Sequence, residues 1–205
     1  MKSKFLLQFN YGSGLVAGCD EAGRGCLAGP VFAAAVIIPD VVSKEMAGAL
    51  NDSKLLKPQM REYARTLVET QSIACSVAMV DHQEIDRINI LQASIKAMHL
   101  ALEQLSPQPD CIIVDGNRFI PYKFIPHQCF VKGDGTYLAI AAASILAKTY
   151  RDAYMLEQHL SHPQYGWDKN KGYPTMAHRT AIEQYGLSPI HRKTFRTNQS
   201  ISLSI

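Results

Sequence analysis

The stretch LVAGCDEAGRGCLAGPVFAAAVIIP, residues 15–39, sets the frame for the whole chain. Residues 15–19 are apolar and read as a first strand. Two acids, Asp20 and Glu21, follow at once, and then a glycine-rich turn, Gly23-Arg24-Gly25. Residues 31–38 are apolar without alternation, so they read as a second strand, buried on both faces and stopped by Pro39. Apolar strands that deliver acids into a turn suit an α/β sheet, where sites gather at the junction of strand and loop.

The rest of the chain keeps that pattern. Pro58 suits a first helical turn, and a helix is expected over residues 59–70. Residues 73–80 read as a third strand and residues 81–85 as a short turn or helix. Residues 89–105 carry Leu91, Ile95, Met98, Ala101, Leu102 and Leu105 at helical spacing. Residues 111–114 form a fourth strand, ended by the Asp115-Gly116 turn signal, and residues 128–131 a fifth. A long helix is expected over residues 136–158, with Asp134 or Thr136 as its cap. Leu138, Ala141, Ala142, Ile145 and Leu146 make its apolar stripe. Ser144, Lys148, Arg151 and Asp152 fall on the other side, and Lys148 and Asp152 stand at i,i+4 spacing. A loop rich in Gly, Pro and Tyr spans residues 163–174, and a last helix runs from about Thr175 to Gly186. Strands interleaved with helices, then helices alone, imply an α/β fold with a mixed sheet covered on both faces.

The chain has 205 residues, 47% of them hydrophobic, which suits one compact domain over residues 1–205 with a helical C-terminal part from about residue 160. The net charge of +3 is too mild to demand a polyanionic partner. Its distribution says more. From residue 160 onward, Lys169, Lys171, Arg179, Arg192, Lys193 and Arg196 face only Asp168 and Glu183. A basic end attracts nucleic acid, or it is a solvated face; charge alone leaves both open. The five cysteines are odd in number and form no C-x-x-C pair, so they read as reduced thiols, mostly buried. The N-terminal apolar run is too short for a signal peptide, and no stretch is long enough for a membrane span. A soluble, cytoplasmic protein without membrane contact is expected, and a monomer.

Three acidic positions share one context. Asp20 and Glu21 follow a strand and precede a glycine turn; Asp115 does the same; Asp134 lies between Gly133 and Gly135, where strand gives way to helix. Four carboxylates converging in a cleft repel each other unless divalent cations lie between them. Hard oxygen donors suit Mg²⁺ or Mn²⁺, and two such ions roughly 3.5–4 Å apart stabilise both the attacking and the leaving oxygen of a phosphodiester displacement. Each acid also has a plain reading: Asp115 as a turn residue, Asp134 as a helix cap. Adjacent residues on a regular strand point to opposite faces, so Asp20 and Glu21 share a site only if the strand bends or ends there. The glycines of residues 12–18 are spaced G-x-G-x-x-x-G and lead into a strand, which excludes a dinucleotide-binding loop.

Read together, these motifs resemble ribonuclease HII. The resemblance is carried by Cys19-Asp20-Glu21-Ala22-Gly23-Arg24-Gly25 with Leu27-Ala28-Gly29-Pro30-Val31, then Asp52-Ser53-Lys54-Leu55-Leu56, Val114-Asp115-Gly116-Asn117-Arg118 and Lys132-Gly133-Asp134. It continues with residues 141–148 (AAASILAK), Arg151-Asp152, Lys171-Gly172-Tyr173-Pro174-Thr175 and His178. It spans about residues 15–195 in one order. It implies a ribonuclease H-like fold: a five-stranded mixed sheet flanked by helices, with a helical C-terminal part. It implies Asp20, Glu21, Asp115 and Asp134 as catalytic ligands of two Mg²⁺ or Mn²⁺ ions. The implied activity is hydrolysis of the RNA strand of RNA–DNA hybrids, and of single ribonucleotides in duplex DNA on their 5′ side, leaving 3′-hydroxyl and 5′-phosphate ends. The implied role is ribonucleotide removal during replication and repair.

The same resemblance makes the backbone of Gly23, Arg24 and Gly25 the reader of the ribose 2′-hydroxyl and packs Tyr173 on the sugar. Ser53, Lys54, Asn117, Lys148 and Arg151 become candidates for phosphate contact or for support of the ligands, with Lys148 and Arg151 equally suited to pairing with Asp152. The sequence departs from the family at Cys26, where proline is common, and at Cys19, where a small aliphatic residue is usual. About 14 residues precede the first strand, so the related type HIII, with its extra N-terminal domain, is not expected. The tail from Gln199 resembles peptides that dock on sliding clamps, though a frayed end is the simpler reading.

Overall fold

The computed structural model describes residues 6–51 and 58–195. Strands β1 (Val16–Ala22) and β2 (Val31–Ile37) pair antiparallel, as do β2 and β3 (Ala74–Val80). On the other side of β1, strands β4 (Cys111–Asp115) and β5 (His127–Phe130) run parallel to it. The order is β3-β2-β1-β4-β5, the five-stranded mixed sheet that the sequence implied. The chain leaves β1 towards β2 and returns beyond β1 as β4. Such a reversal opens a crevice at the C-terminal ends of the parallel strands.

Helices cover both faces. Helices α1 (Lys44–Asn51), α2 (Pro58–Gln71) and α5 (Leu138–Ser161) lie on one side, and α3 (His82–Ile88) with α4 (Ile90–Glu103) on the other. The pleat of β1 explains the division. Ala17 and Cys19 join the α4 core, while Val16 and Ala22 join the α5 core. Gly18 sits on the α5 side, where an added Cβ would lie 2.2 Å from the carbonyl carbon of Ala139. The alanines of α5 and the bare Gly18 let helix and strand touch backbone to backbone. Helices α6 (Trp167–Asn170) and α7 (Met176–Tyr185) build a smaller third core with Leu27, Ala28 and Met155. Thr175 caps α7 through its side chain, and Gly186 ends it.

Several expectations need correction. The α1 helix was not foreseen. The long helix starts at Leu138 after Tyr137, so neither Asp134 nor Thr136 caps it; Asp134 lies in a single 3₁₀ turn, Gly133–Gly135. Residues 163–174 are not one loop but hold the 3₁₀ turn Pro163–Tyr165 and α6. β1 does not stop at Cys19: Asp20, Glu21 and Ala22 still pair with β2, and only the pairing with β4 ends at Cys19. Cys19, Cys26 and Cys111 are buried, and Cys75 and Cys129 half-buried, all as free thiols. Among the described residues, no helix is long and apolar enough to cross a membrane.

Candidate active site

The sheet brings the acids together. β1, β4 and β5 are parallel, so their C-terminal ends share one edge. Cys19 is in register with Val114, which sets Asp20 and Asp115 one step further on neighbouring strands. Phe130 pairs with Asp115 and leads within three residues to Gly133. The Gly133 amide then donates to Asp115 Oδ1 at 2.6 Å, which places Asp134 beside the end of β4. The β1–β4 pairing ends at Cys19, one residue before Asp20, and Glu21, its side chain only 10% exposed and paired with Arg24, lines the neighbouring cleft.

Asp20 is 6% exposed. Burial holds its carboxyl well above the usual range, and the charges of Glu21 and Asp115 push the same way. The Ser144 hydroxyl and the Glu21 amide oppose that shift by hydrogen-bonding to it. Glu21 is also raised, first by burial, although Arg24 donates to its Oε1 at 2.9 Å. Crowded anionic oxygens of this kind suit a hard divalent cation, which removes the cost of keeping them charged. The donor chemistry therefore fits the expected metal. As the side chains stand, no three His, Cys, Asp or Glu among the described residues close on one point; Glu21 is engaged by Arg24 and Asp115 by Gly133.

Beside the acids runs a cleft of about 370 Å³, lined by Glu21 to Gly25, Arg61, Ser144, Ile145, Lys148 and Tyr173. Gly23 needs its lack of a side chain: φ is +97°, and a Cβ would stand 2.0 Å from Arg151 Nε. The Cys26 amide bonds to the Gly23 carbonyl at 3.3 Å, a contact that proline cannot make. The Cys26 thiol and the Tyr173 hydroxyl are neighbours, and each influences the other's pKa. Tyr173 lies 37% exposed at the cleft wall, with Lys148 Nζ and Arg151 Cζ each 5.7 Å from its ring centre.

The Tyr173 main chain is held from below by a buried chain of hydrogen bonds. The Ser188 amide and hydroxyl donate to His191 Nδ1. This assigns a proton to His191 Nε2, which donates to His178 Nε2 at 3.1 Å, as does Trp167 Nε1. His178 Nδ1 then donates to the Tyr173 carbonyl at 2.9 Å. Burial keeps both imidazoles below their usual pKa, His191 at about 4.

The other candidates divide. Lys148 lines the cleft and pairs with Asp152, which Arg61 also reaches. Arg151 is fully buried; it donates to the carbonyls of Ala28, Pro30 and Lys171, so it meets neither solvent nor Asp152 there. Asn117 is exposed in the loop after β4, away from the cleft walls. Ser53 and Lys54 lie outside the described residues, as does the tail from Gln199. The basic C-terminal part is not simply an outward face, because Arg192 is wholly buried. Sequence reasoning missed Ser144, Arg61, Arg192 and His191 as parts of this region. Ser144 had a signal, as a lone hydroxyl within an alanine run; Arg192 and His191 had none short of the fold.

The sequence profile of the family Ribonuclease HII matches residues 17–198. A curated Ribonuclease HII from Parabacteroides distasonis is 59% identical over 179 residues, 87% of this chain and 88% of its own length. Among solved structures, the ribonuclease H2 of Pyrococcus horikoshii OT3 superposes with a TM-score of 0.77 at 28% identity, covering 89% of this chain and 94% of that one. Bst-RNase HIII, solved in complex with Mn²⁺, superposes with a TM-score of 0.69 at 19% identity, covering 91% of this chain and 68% of that one, a likeness of fold.

Proposed function

The chain belongs to the ribonuclease HII family and is an endonuclease of the ribonuclease H type, and from that premise we propose that Asp20, Glu21, Asp115 and Asp134 are its catalytic carboxylates. Their substrate is the RNA strand of an RNA–DNA hybrid, or a single ribonucleotide within duplex DNA. The observation that carries this reading is the shared edge of β1, β4 and β5, where buried Asp20 feels the charges of Glu21 and Asp115 and where Gly133 ties the Asp134 turn to Asp115.

Asp20, Glu21, Asp115 and Asp134 would hold Mg²⁺ or Mn²⁺, which when bound would supply Lewis-acid chemistry for phosphodiester hydrolysis. The protein's own part is positioning. Asp20 Oδ1 accepts the Glu21 amide at 2.7 Å, and the Ser144 hydroxyl favours its charged form. The turn Gly23–Gly25 presents main-chain groups to the cleft, where a 2′-hydroxyl, both donor and acceptor, meets partners that a deoxyribose leaves unpaired. Tyr173 offers a flat face for the sugar beside the cut. Lys148 adds positive charge near the phosphate path, so binding weakens as salt rises.

The test is cleavage of a labelled RNA–DNA hybrid with Mg²⁺, with Mn²⁺ and with chelator, by the wild type and by Asp134→Asn. Expected is metal-dependent cutting of the RNA strand to 3′-hydroxyl and 5′-phosphate ends. The variant should bind the hybrid yet cut at least about 100-fold more slowly, a loss of about 2.7 kcal/mol or more of transition-state stabilisation. Near-wild-type turnover of Asp134→Asn would remove that residue from the site.

A further inference from the structure

Arg192 lies far from Gly23 in sequence, yet it fills the inside of the Gly23–Gly29 loop. Its Nη2 donates to the Gly23 carbonyl at 2.8 Å, Nη1 to the Arg24 carbonyl at 2.9 Å and Nε to the Gly29 carbonyl at 2.9 Å. Main-chain bonds from Arg192 to Leu27 and from Gly29 to Ile190, each 2.9 Å, lock the two segments together. We propose that Arg192 is the positioning residue that sets the Gly23–Gly25 turn for recognition of the ribose 2′-hydroxyl. This rests on the reading of that turn given above.

The peptide group supplies the reasoning. In a trans peptide the C=O of one residue and the N–H of the next point in opposite directions. Drawing the Gly23 and Arg24 carbonyls onto one guanidinium therefore turns the N–H groups of Arg24 and Gly25 away from it. Both residues line the cleft. A guanidinium is a rigid planar fork, so it fixes the two peptide planes relative to each other; a lysine ammonium is a point charge and does not. The arrangement is costly. Arg192 is fully buried near the equally buried Arg151, and burial with that like charge lowers its pKa to about 10. Stapling the C-terminal segment alone does not require a buried guanidinium, since main-chain bonds already do so. Arg151 is the internal control: it is as buried and packs directly against Gly23, but it hydrogen-bonds to the carbonyls of Ala28, Pro30 and Lys171 and not to those of Gly23 and Arg24, so it separates contact with the turn from the grip on its carbonyls.

The experiment uses the whole chain and two duplexes that differ only at the cut nucleotide, 2′-hydroxyl against 2′-fluoro. The readout is the ratio of their kcat/KM values. In Arg192→Lys the ratio should fall about tenfold or more, through kcat on the ribonucleotide duplex, with little change in KM. In Arg151→Lys both substrates should slow together and the ratio should hold. Should Arg192→Lys fail to fold, Asp86→Ala reads the same coupling from outside. Asp86 on α3 accepts the amides of Lys193 and Thr194 and anchors the Arg192 segment, so its loss should lower the ratio to a lesser degree. A wild-type ratio retained in both Arg192→Lys and Asp86→Ala, or lost equally in Arg151→Lys, overturns the proposal. A wild type that does not discriminate the two duplexes overturns the reading of the turn itself, and this inference with it.

Discussion

The amide of Gly133 donates to Asp115 Oδ1 across the ends of two parallel strands, so one carboxylate serves both as a proposed ligand and as the tie that holds the Asp134 turn. The two roles separate by substitution. Asp115→Asn keeps an acceptor oxygen and should retain nearly all stability while losing at least about 100-fold in activity. Asp115→Ala loses the tie as well and should unfold about 1–3 kcal/mol more easily. Urea unfolding and single-turnover cleavage of both variants check this; equal stability of the two would mean the tie carries no weight.

Two glycines distinguish fold from site. A Cβ on Gly18 meets the backbone of Ala139 at 2.2 Å, and backbone cannot swing aside. Gly18→Ala should cost about 3 kcal/mol or more, seen as a lowered urea midpoint. A Cβ on Gly25 meets nothing within 4 Å of its surroundings, so Gly25→Ala should leave stability within about 0.5 kcal/mol. Yet that methyl enters the cleft proposed to admit the sugar. Cleavage should fall at least about tenfold, the cost of one displaced contact of 1.4 kcal/mol. An active Gly25→Ala would argue against close approach of substrate to the turn.

Tyr173 combines a ring with a hydroxyl. Tyr173→Phe keeps the ring and removes only the hydroxyl beside the Cys26 thiol, and should change kcat/KM about threefold or less. Tyr173→Ala removes the packing face and should cost about 1–3 kcal/mol, roughly 5- to 150-fold in kcat/KM. Equal effects of the two would place the hydroxyl, not the ring, at the centre of its role.

The buried His191 gives a pH signature. Its pKa is depressed from 6.5 to about 4, first by burial and then by the neighbouring His178. A group depressed in the folded state adds stability above its unfolded pKa and loses it as pH falls towards the folded value. Stability should therefore drop between pH 6.5 and about 4, by about 2 kcal/mol between pH 7 and pH 5 from this group. Urea unfolding at the two pH values should show a smaller drop in His191→Gln than in the wild type. Parallel drops would exclude His191 as the source.

Much of this was legible in residues 15–39. Uninterrupted apolar runs gave both central strands, because burial on both faces erases alternation. The acids were legible as a set only through the family resemblance, because alone Asp115 also reads as a turn residue and Asp134 as a helix cap. What the sequence could not supply was distance. Asp20 and Asp115 become neighbours only through the parallel pairing of β1 and β4. Arg192 read as one more basic residue in a charged tail, yet it is spent on carbonyls far back in the chain. Arg151 misled for the same reason, since its place beside Asp152 suggested a pair but could not show the Ala28, Pro30 and Lys171 carbonyls that hold it. The cap of α5 was misjudged because Asp134 and Thr136 suit caps by type, while the 3₁₀ turn at Gly133–Gly135 moved the helix start to Leu138.

The most direct test of the central claim is cleavage of two labelled duplexes, one all DNA and one with a single ribonucleotide, in Mg²⁺, in Mn²⁺ and in chelator. The account predicts a metal-dependent cut on the 5′ side of the ribonucleotide and no cut in the all-DNA duplex. Cutting of both duplexes at similar rates, or of the ribonucleotide duplex in chelator, would contradict it.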